Sequence, residues 1–281
     1  MAHLPAPLAL GIGRRLGDLA RLLLPRRQDV TLANLAIAFP ELGADARLRL
    51  ARDAWRHLGM TAVELARLLH RPLEATLEEL ALDGIEHLHG VMRDYGRALV
   101  LTAHLGNWEY LAAVNRLVGL PVAIVVRPLD SAVLDDQAVA MRRKTGVELI
   151  DKRGALRGVL EALRRGRLVA VLLDQNAARR EGVFVPFFGQ AASTSRSLAL
   201  LALRTRTPIV PVFIRRTGVA RHHVRAEDPL LPAASNDADA AIVELTARCT
   251  RVIEAAIRRA PEQWLWAHDR WRTRPPAVVR I

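Results

Sequence analysis

The spacing of hydrophobic residues changes character near residue 82. Before that point, "DVTLANLAIAFPEL" and "DARLRLARDAWRHLGMTAVELARLL" place apolar side chains three and four apart, the repeat of helices that bury one face. Pro40 and Pro72 end two of these helices, because proline lacks a backbone N–H and crowds the preceding turn. After it come short apolar runs bounded by Gly or Pro: "ALVLTAH" (98–104), "PVAIVVRP" (121–128), "GVELID" (146–151), "RLVAVLLDQ" (167–175) and "PIVPVFIRR" (208–216). "HHVRAEDPL" is a weaker strand. Helical patterns separate them: "NWEYLAAVNRLVG", "SAVLDDQAVAMRRKTG", "ALRGVLEALRRG" and "STSRSLALLALRTR". A long helix over about 237–260 and an aromatic tail, "PEQWLWAHDRWRTRP", complete the chain. Continuously apolar strands alternating with helices predict an α/β fold, a mainly parallel sheet sandwiched by helices. A helical region over 1–82 precedes an α/β core over 83–281. In such sheets reactive groups gather at the carboxyl ends of the strands, where His104, Arg127 and Asp174 emerge.

Composition narrows the partners. The chain has 281 residues, 51% of them hydrophobic, enough for a sizeable core. Lys and Arg number 41 against 29 Asp and Glu, and the net charge of +12 favours anionic partners: nucleic acid, lipid headgroups or an acidic protein. The arginines are dispersed through helix-like segments and no nucleic-acid reader module is recognisable, which argues against nucleic acid. Cys249 is the sole cysteine, so there is no disulfide framework, and its simplest role is packing. No run of about 18 uncharged apolar residues predicts a conventional spanning helix. "LPAPLALGIGRRLGDLARLLLPRR" instead sets Leu16, Leu19, Ala20, Leu23 and Leu24 on one helical face, a pattern that fits core packing and membrane docking equally well. It also lacks the continuous apolar region and cleavage site of a signal peptide.

The chain has no G-x-S-x-G elbow, no phosphate loop and no H-E-x-x-H helix. Gly11, Gly13 and Gly17 have the wrong spacing for a dinucleotide site and no strand before them. What remains is "LVLTAHLGNWEYLAA". His104 ends a strand, Gly106 and Asn107 form a turn, and Glu109 begins the next helix. A carboxylate there can accept a hydrogen bond from one imidazole nitrogen and make the other a stronger base. With no nucleophile in the chain, the proton would come from a substrate hydroxyl that attacks an acyl donor directly. The plainer alternative is a histidine capping a strand and a glutamate favouring a helix N-terminus.

Further motifs weigh against that alternative. "AHLGNWE", "RLVAVLLDQN", "GVFVPFFGQAASTSRSLALLALRTRTPIVPVFIRR" and "PEQWLWAHDRWRTRP", in this order and following "DVTLANLAIAFPEL", closely resemble the bacterial lipid A biosynthesis acyltransferases, the lauroyl and myristoyl transferase family. The resemblance covers about residues 25–275. It implies a glycerolipid-acyltransferase-like fold at the cytoplasmic face of the cell inner membrane, and transfer from acyl carrier protein to a hydroxyl of an anionic lipid A precursor. No metal or other cofactor is implied. Relatives with the same fold and H-x-x-x-x-E motif acylate other glycolipids or lysophospholipids. A catalytically silent lipid-binding protein of this fold is a further alternative, against which the intact His104 and Glu109 argue. Relative to that family the first helix is short and interrupted by arginines, which favours peripheral or shallow attachment over spanning.

The resemblance carries the H-x-x-x-x-D/E motif onto His104 and Glu109, an active-site arginine onto Arg142 and an aspartate onto Asp174. Arg142 could stabilise the oxyanion of the attacked thioester, worth ~3 kcal/mol when preorganised, or be a solvated helix arginine. Asp174 could hold Arg142 or a substrate sugar hydroxyl, or simply end its strand. Arg127 could meet a phosphate or make a structural pair. Asn107 is a further substrate-binding candidate in the turn. Phe187 and Phe188 could wall an acyl-chain pocket or pack in the core, and Ser193 or Thr194 is expected to cap the next helix. The tail tryptophans 264, 266 and 271 suit a membrane interface or a clamp over the sheet; the clamp is preferred.

Overall fold

In the computed structural model, residues 4–126, 139–140, 142–151, 155–233 and 235–276 are described. Arg127 and most of the helix expected over "SAVLDDQAVAMRRKTG" lie outside them. The chain opens with helices α1 (Ala6–Leu23), α2 (Pro25–Ala38) and α3 (Ala44–His70). Helix α1 meets α3 backbone to backbone. A Cβ on Gly13 would stand 2.8 Å from Met60 Cα, one on Gly17 2.1 Å from the Trp55 carbonyl oxygen, and one on Gly59 2.1 Å from the Gly13 carbonyl oxygen. The glycine spacing that suits no cofactor therefore makes a helix contact. Because this glycine face turns inward, Leu8, Leu16, Leu19 and Leu23 turn outward, with Leu23 68% exposed.

A short helix α4 (Leu73–Leu77) leads to strand β1 (Leu80–Asp83), helix α5 (Ile85–Tyr95), β2 (Ala98–Thr102), α6 (Leu111–Val118), β3 (Val122–Val126) and β4 (Glu148–Asp151). Helix α7 (Ala155–Arg164), β5 (Leu168–Leu172), the hairpin β6 (Gly182–Phe187) and β7 (Gln190–Ser195), α8 (Ser197–Thr205), β8 (Ile209–Gly218), β9 (Arg221–Ala226) and α9 (Ala238–Arg259) follow. The main sheet has seven strands in the order β1-β9-β8-β2-β5-β3-β4, parallel at every pairing except β8 with β9. The expected mainly parallel sheet with helices on both faces is therefore observed.

Strand β2 shows why its sequence is apolar throughout. Leu99, Leu101 and Ala103 point into a core shared with α7, α8, α9 and the tail tryptophans, while Ala98 and Val100 point into a second core with α5 and α6. Alternate side chains of a central parallel strand serve opposite faces, so both sets must be hydrophobic.

Two elements differ from the sequence expectation. Residues 80–82, expected to be helical, begin β1, a four-residue edge strand with only alternate residues partly covered. Ser193 and Thr194, expected as helix caps, lie fully buried within β7, and α8 starts at Ser197. The β6–β7 turn places Phe188 and Gly189 at positive φ, 50° and 73°. Phe188 tolerates this costly geometry because Glu254 accepts its backbone N–H at 2.6 Å and the Arg258 guanidinium lies 4.5 Å from its ring centroid.

The α1–α3 contact yields a paired prediction. Gly17→Ala is expected to destabilise the protein by about 1–3 kcal/mol through overpacking. Gly11→Ala, whose Cβ meets open space, should instead stabilise it by up to about 1 kcal/mol through helix propensity. Urea unfolding midpoints of the two variants check both signs.

Candidate active site

Parallel pairing brings the chemistry together. Strands β2 and β5 are in register with Thr102 opposite Leu172, so the residues two beyond each strand end, His104 and Asp174, arrive at the same height. The imidazole Nδ1 of His104 donates to Asp174 Oδ1 at 2.9 Å. The other carboxylate oxygen, Oδ2, accepts the His104 backbone N–H at 2.9 Å and the Trp264 indole N–H at 2.8 Å. Asp174 is 2% exposed, and both its oxygens are satisfied. Burial opposes its ionisation, but His104 and these donors outweigh burial and hold the carboxyl well below the usual range. Burial likewise opposes charging of His104, yet Asp174, with Glu109 adding to it, raises the imidazole above its ordinary 6.5. With Nδ1 bound to a carboxylate, Nε2 is the free base, and it meets the exposed amide of Gln175 at 3.3 Å.

The loop that carries His104 is held from two sides. From the C-terminal tail, Leu105 bridges to Trp264, the His104 carbonyl accepts from the Leu265 N–H at 3.1 Å, and the Gly106 N–H donates to Gln263 at 3.0 Å. From beneath, the Asn107 amide donates to Glu64 of α3 at 2.8 Å. Gly106 sits at φ 61° against β8, where a Cβ would stand 2.2 Å from the Ile214 carbonyl oxygen, so only glycine fits. Glu64 is itself buried in an ion cluster with Arg216 and with His222, whose Nε2–H lies 3.2 Å from it. Burial opposes its ionisation, but His222 and Arg216 hold it well below the usual carboxylate range. Beyond the loop, Glu109 accepts from Arg142 through both its oxygens, at 2.9 and 3.1 Å from Nη2.

Comparison with known proteins follows the same lines. The family described as "Bacterial lipid A biosynthesis acyltransferase" matches residues 1–273. The chain belongs to that family. It is 28% identical over 279 residues to a lipid A biosynthesis palmitoleoyltransferase of Escherichia coli (strain K12), covering 97% of this chain and 88% of that protein. It is 29% identical over 280 residues to a lipid A biosynthesis lauroyltransferase of the same organism, covering 99% and 90%. Among solved structures, the 1-acyl-sn-glycerophosphate acyltransferase of Thermotoga maritima gives a TM-score of 0.40 at 14% identity, over 84% of this chain and 97% of that one, too distant to guide assignment of residues. The chain is accordingly an acyltransferase of lipid A biosynthesis by family.

Within this family member, the residues singled out by sequence fall into distinct places. His104, Asp174, Glu109 and Arg142 converge at the carboxyl edge of the sheet, but with partners other than those expected. Asp174, not Glu109, accepts from the imidazole, because the parallel register brings it alongside, whereas Glu109, on the 3-10 turn Trp108–Tyr110, turns to Arg142. Asp174 consequently holds neither Arg142 nor an open position for a sugar. Asn107 is fully buried and faces Glu64 rather than a substrate. Phe187 and Phe188 are closed within an aromatic cluster with Phe39, Trp264, Trp266 and Trp271, which is core packing, not a pocket wall. The three tail tryptophans, 1–3% exposed, form the expected clamp. Arg127 lies outside the described residues.

Several contributors escaped the sequence reading: Gln175 and Trp264 at the dyad, Trp108 edge-on to His104 at 5.2 Å, and the cluster of Glu64, Arg216 and His222. Gln175 adjoins Asp174 and Trp264 lies in the tail motif, so their neighbourhood was visible. Glu64 reads as one more polar residue on an amphipathic helix.

Proposed function

We propose that this chain transfers a fatty acyl group from acyl carrier protein to a hydroxyl of a lipid A precursor, with His104 as general base and Asp174 as the carboxylate that orients it. The observation that carries this reading is the Nδ1 contact with Asp174, which leaves Nε2 as acceptor beside an exposed amide rather than a protein hydroxyl or thiol. The acceptor hydroxyl displaces the Gln175 amide and gives its proton to Nε2 as its oxygen attacks the thioester carbonyl. The tetrahedral intermediate then expels the thiolate, which takes the same proton from His104. Each proton and electron pair is accounted for without a covalent enzyme intermediate. Arg142, fixed on both oxygens of Glu109, supplies the positive charge beside the developing oxyanion. Both proposed partners are anionic, and Arg179, Arg180, Arg272 and Arg274 are exposed on two adjoining loops beside Gln175, a basic rim suited to carrier protein and headgroup phosphate.

The same reading has the protein attached to the cytoplasmic face of the inner membrane through α1. No helix among the described residues is long and apolar enough to cross a membrane. In α1, however, Leu8, Leu16, Leu19 and Leu23 are outermost, and Arg15, 85% exposed, flanks that stripe, the arrangement of a helix lying in a lipid interface.

Purified protein supplied with labelled acyl-carrier-protein or acyl-CoA donors and with lipid A precursor or lysophospholipid tests the chemistry. Transfer is expected from carrier protein to lipid A precursor, and His104→Ala should lower kcat by about 10²–10⁴-fold. Because the neutral imidazole is the base and its pKa is raised above 6.5, the acid limb of kcat/KM should have its midpoint above that value. Native rates in His104→Ala, or lipid binding with no transfer from any donor, would overturn the reading. Attachment is tested by flotation on vesicles containing anionic phospholipid. Leu19→Glu with Leu23→Glu should leave the protein at the bottom of the gradient, and unaltered flotation would rule out α1 as the anchor.

A further inference from the structure

We propose that Trp264 is a positioning residue of the acyl-transfer site, its indole N–H pinning the second oxygen of Asp174 so that the carboxylate stays aimed at His104 and its pull on the imidazole is tempered. The inference rests on the reading of His104 and Asp174 as base and orienting carboxylate, and extends it to a residue 90 positions away in sequence.

Three observations support it. Asp174 offers two oxygens, and they are used differently. Oδ1 faces the imidazole, while Oδ2 accepts the His104 backbone N–H and the Trp264 indole at 2.8 Å. A carboxylate buried this deeply is shielded from bulk solvent, so a fixed donor on the far oxygen bears on both its orientation and its proton affinity. Second, Trp264 is itself enclosed: it is 3% exposed, packs edge-on against Trp266 at 4.6 Å and Phe187 at 5.7 Å, and is paired through its backbone with Leu105. Third, the segment that carries it also holds the His104 loop, through the hydrogen bond from the Leu265 N–H to the His104 carbonyl and from the Gly106 N–H to Gln263. The tail therefore places a donor on Asp174 and braces His104 in one element.

The sign of the effect follows from electrostatics. The indole dipole directs positive charge at Asp174 and so tempers the negative potential that the carboxylate exerts on His104. Without it, Asp174 becomes more basic and the imidazolium is favoured. The other charged and titratable groups around the pair are unchanged by the substitution: Glu109 with its partner Arg142 from the 3-10 turn, and His268 and Arg270 from the tail, both within electrostatic reach of Asp174.

The test replaces Trp264 by phenylalanine and, to preserve shape, by benzothienylalanine, which substitutes sulfur for the indole N–H. Both are assayed with acyl-carrier-protein and lipid A precursor across pH, beside His104→Ala. The expected result is an acid limb moved to higher pH by about half to one unit, giving a loss of about three- to tenfold near pH 6 that fades on the alkaline plateau, with KM unchanged. NMR titration of His104 without substrate should show the same upward shift in the benzothienyl protein. An equal loss at every pH in both variants would make Trp264 merely structural, and an unshifted His104 titration in the benzothienyl protein would overturn the proposal. Native activity in His104→Ala would instead refute the base assignment on which it rests, an outcome distinguishable from the other two.

Discussion

The hydrogen bond between His104 and Asp174 depends on one constraint, the register of two neighbouring parallel strands. With Thr102 opposite Leu172, each strand delivers a polar residue two positions beyond its end, and the two meet at 2.9 Å. A slip of one residue would turn every side chain of a strand to the opposite face. Register is secured by burial, because β2 is covered on both faces and its alternate residues belong to two separate cores. The apolar content of the sheet thus sets the geometry of the polar site.

The loop after β2 turns this placement into a rigid one. Gly106 lets the backbone approach β8, and Asn107 ties the turn to Glu64. Glu64 in turn joins helix α3 to β8 and β9 through Arg216 and His222. A buried ion cluster of this kind contributes little net stability, but removing one partner leaves an uncompensated charge at a cost of about 3–5 kcal/mol. Its value lies in fixing where the helical region sits against the sheet, and hence where His104 points. The inward-facing glycines of α1 pack on the middle of α3, at Trp55 to Met60, about one turn from Glu64; by taking the protein-facing side, they leave Leu8, Leu16, Leu19 and Leu23 outward, the face proposed to meet lipid.

Much of the fold was legible because its signals are local. β2, β3 and β5 are continuous apolar runs, β8 begins with one, β4 carries a shorter one between charged ends, and α9 is a long amphipathic repeat. β1 escaped because four half-covered residues at a sheet edge carry too little pattern. β7 escaped because "QAASTS" is polar in type though largely buried in place. At the site, His104 and Asp174 were recognised separately, while their partnership was not, since it is a product of strand order: β5 inserts between β2 and β3 although it follows both in sequence. Glu109 was the nearer carboxylate along the chain, and proximity in sequence favoured it. Phe187 and Phe188 illustrate the converse, since an aromatic pair reads the same whether it walls a pocket or fills a core.

The central claim is that Asp174, and not Glu109, orients the base, and histidine ring nitrogen NMR reads this directly without any substrate. In the native protein above the His104 pKa, Nδ1 should carry the proton and Nε2 should not. That tautomer should persist in Glu109→Gln and be lost or mixed in Asp174→Asn. If Glu109→Gln abolished it while Asp174→Asn left it intact, Glu109 would be the orienting carboxylate and the role assigned to Asp174 would be contradicted.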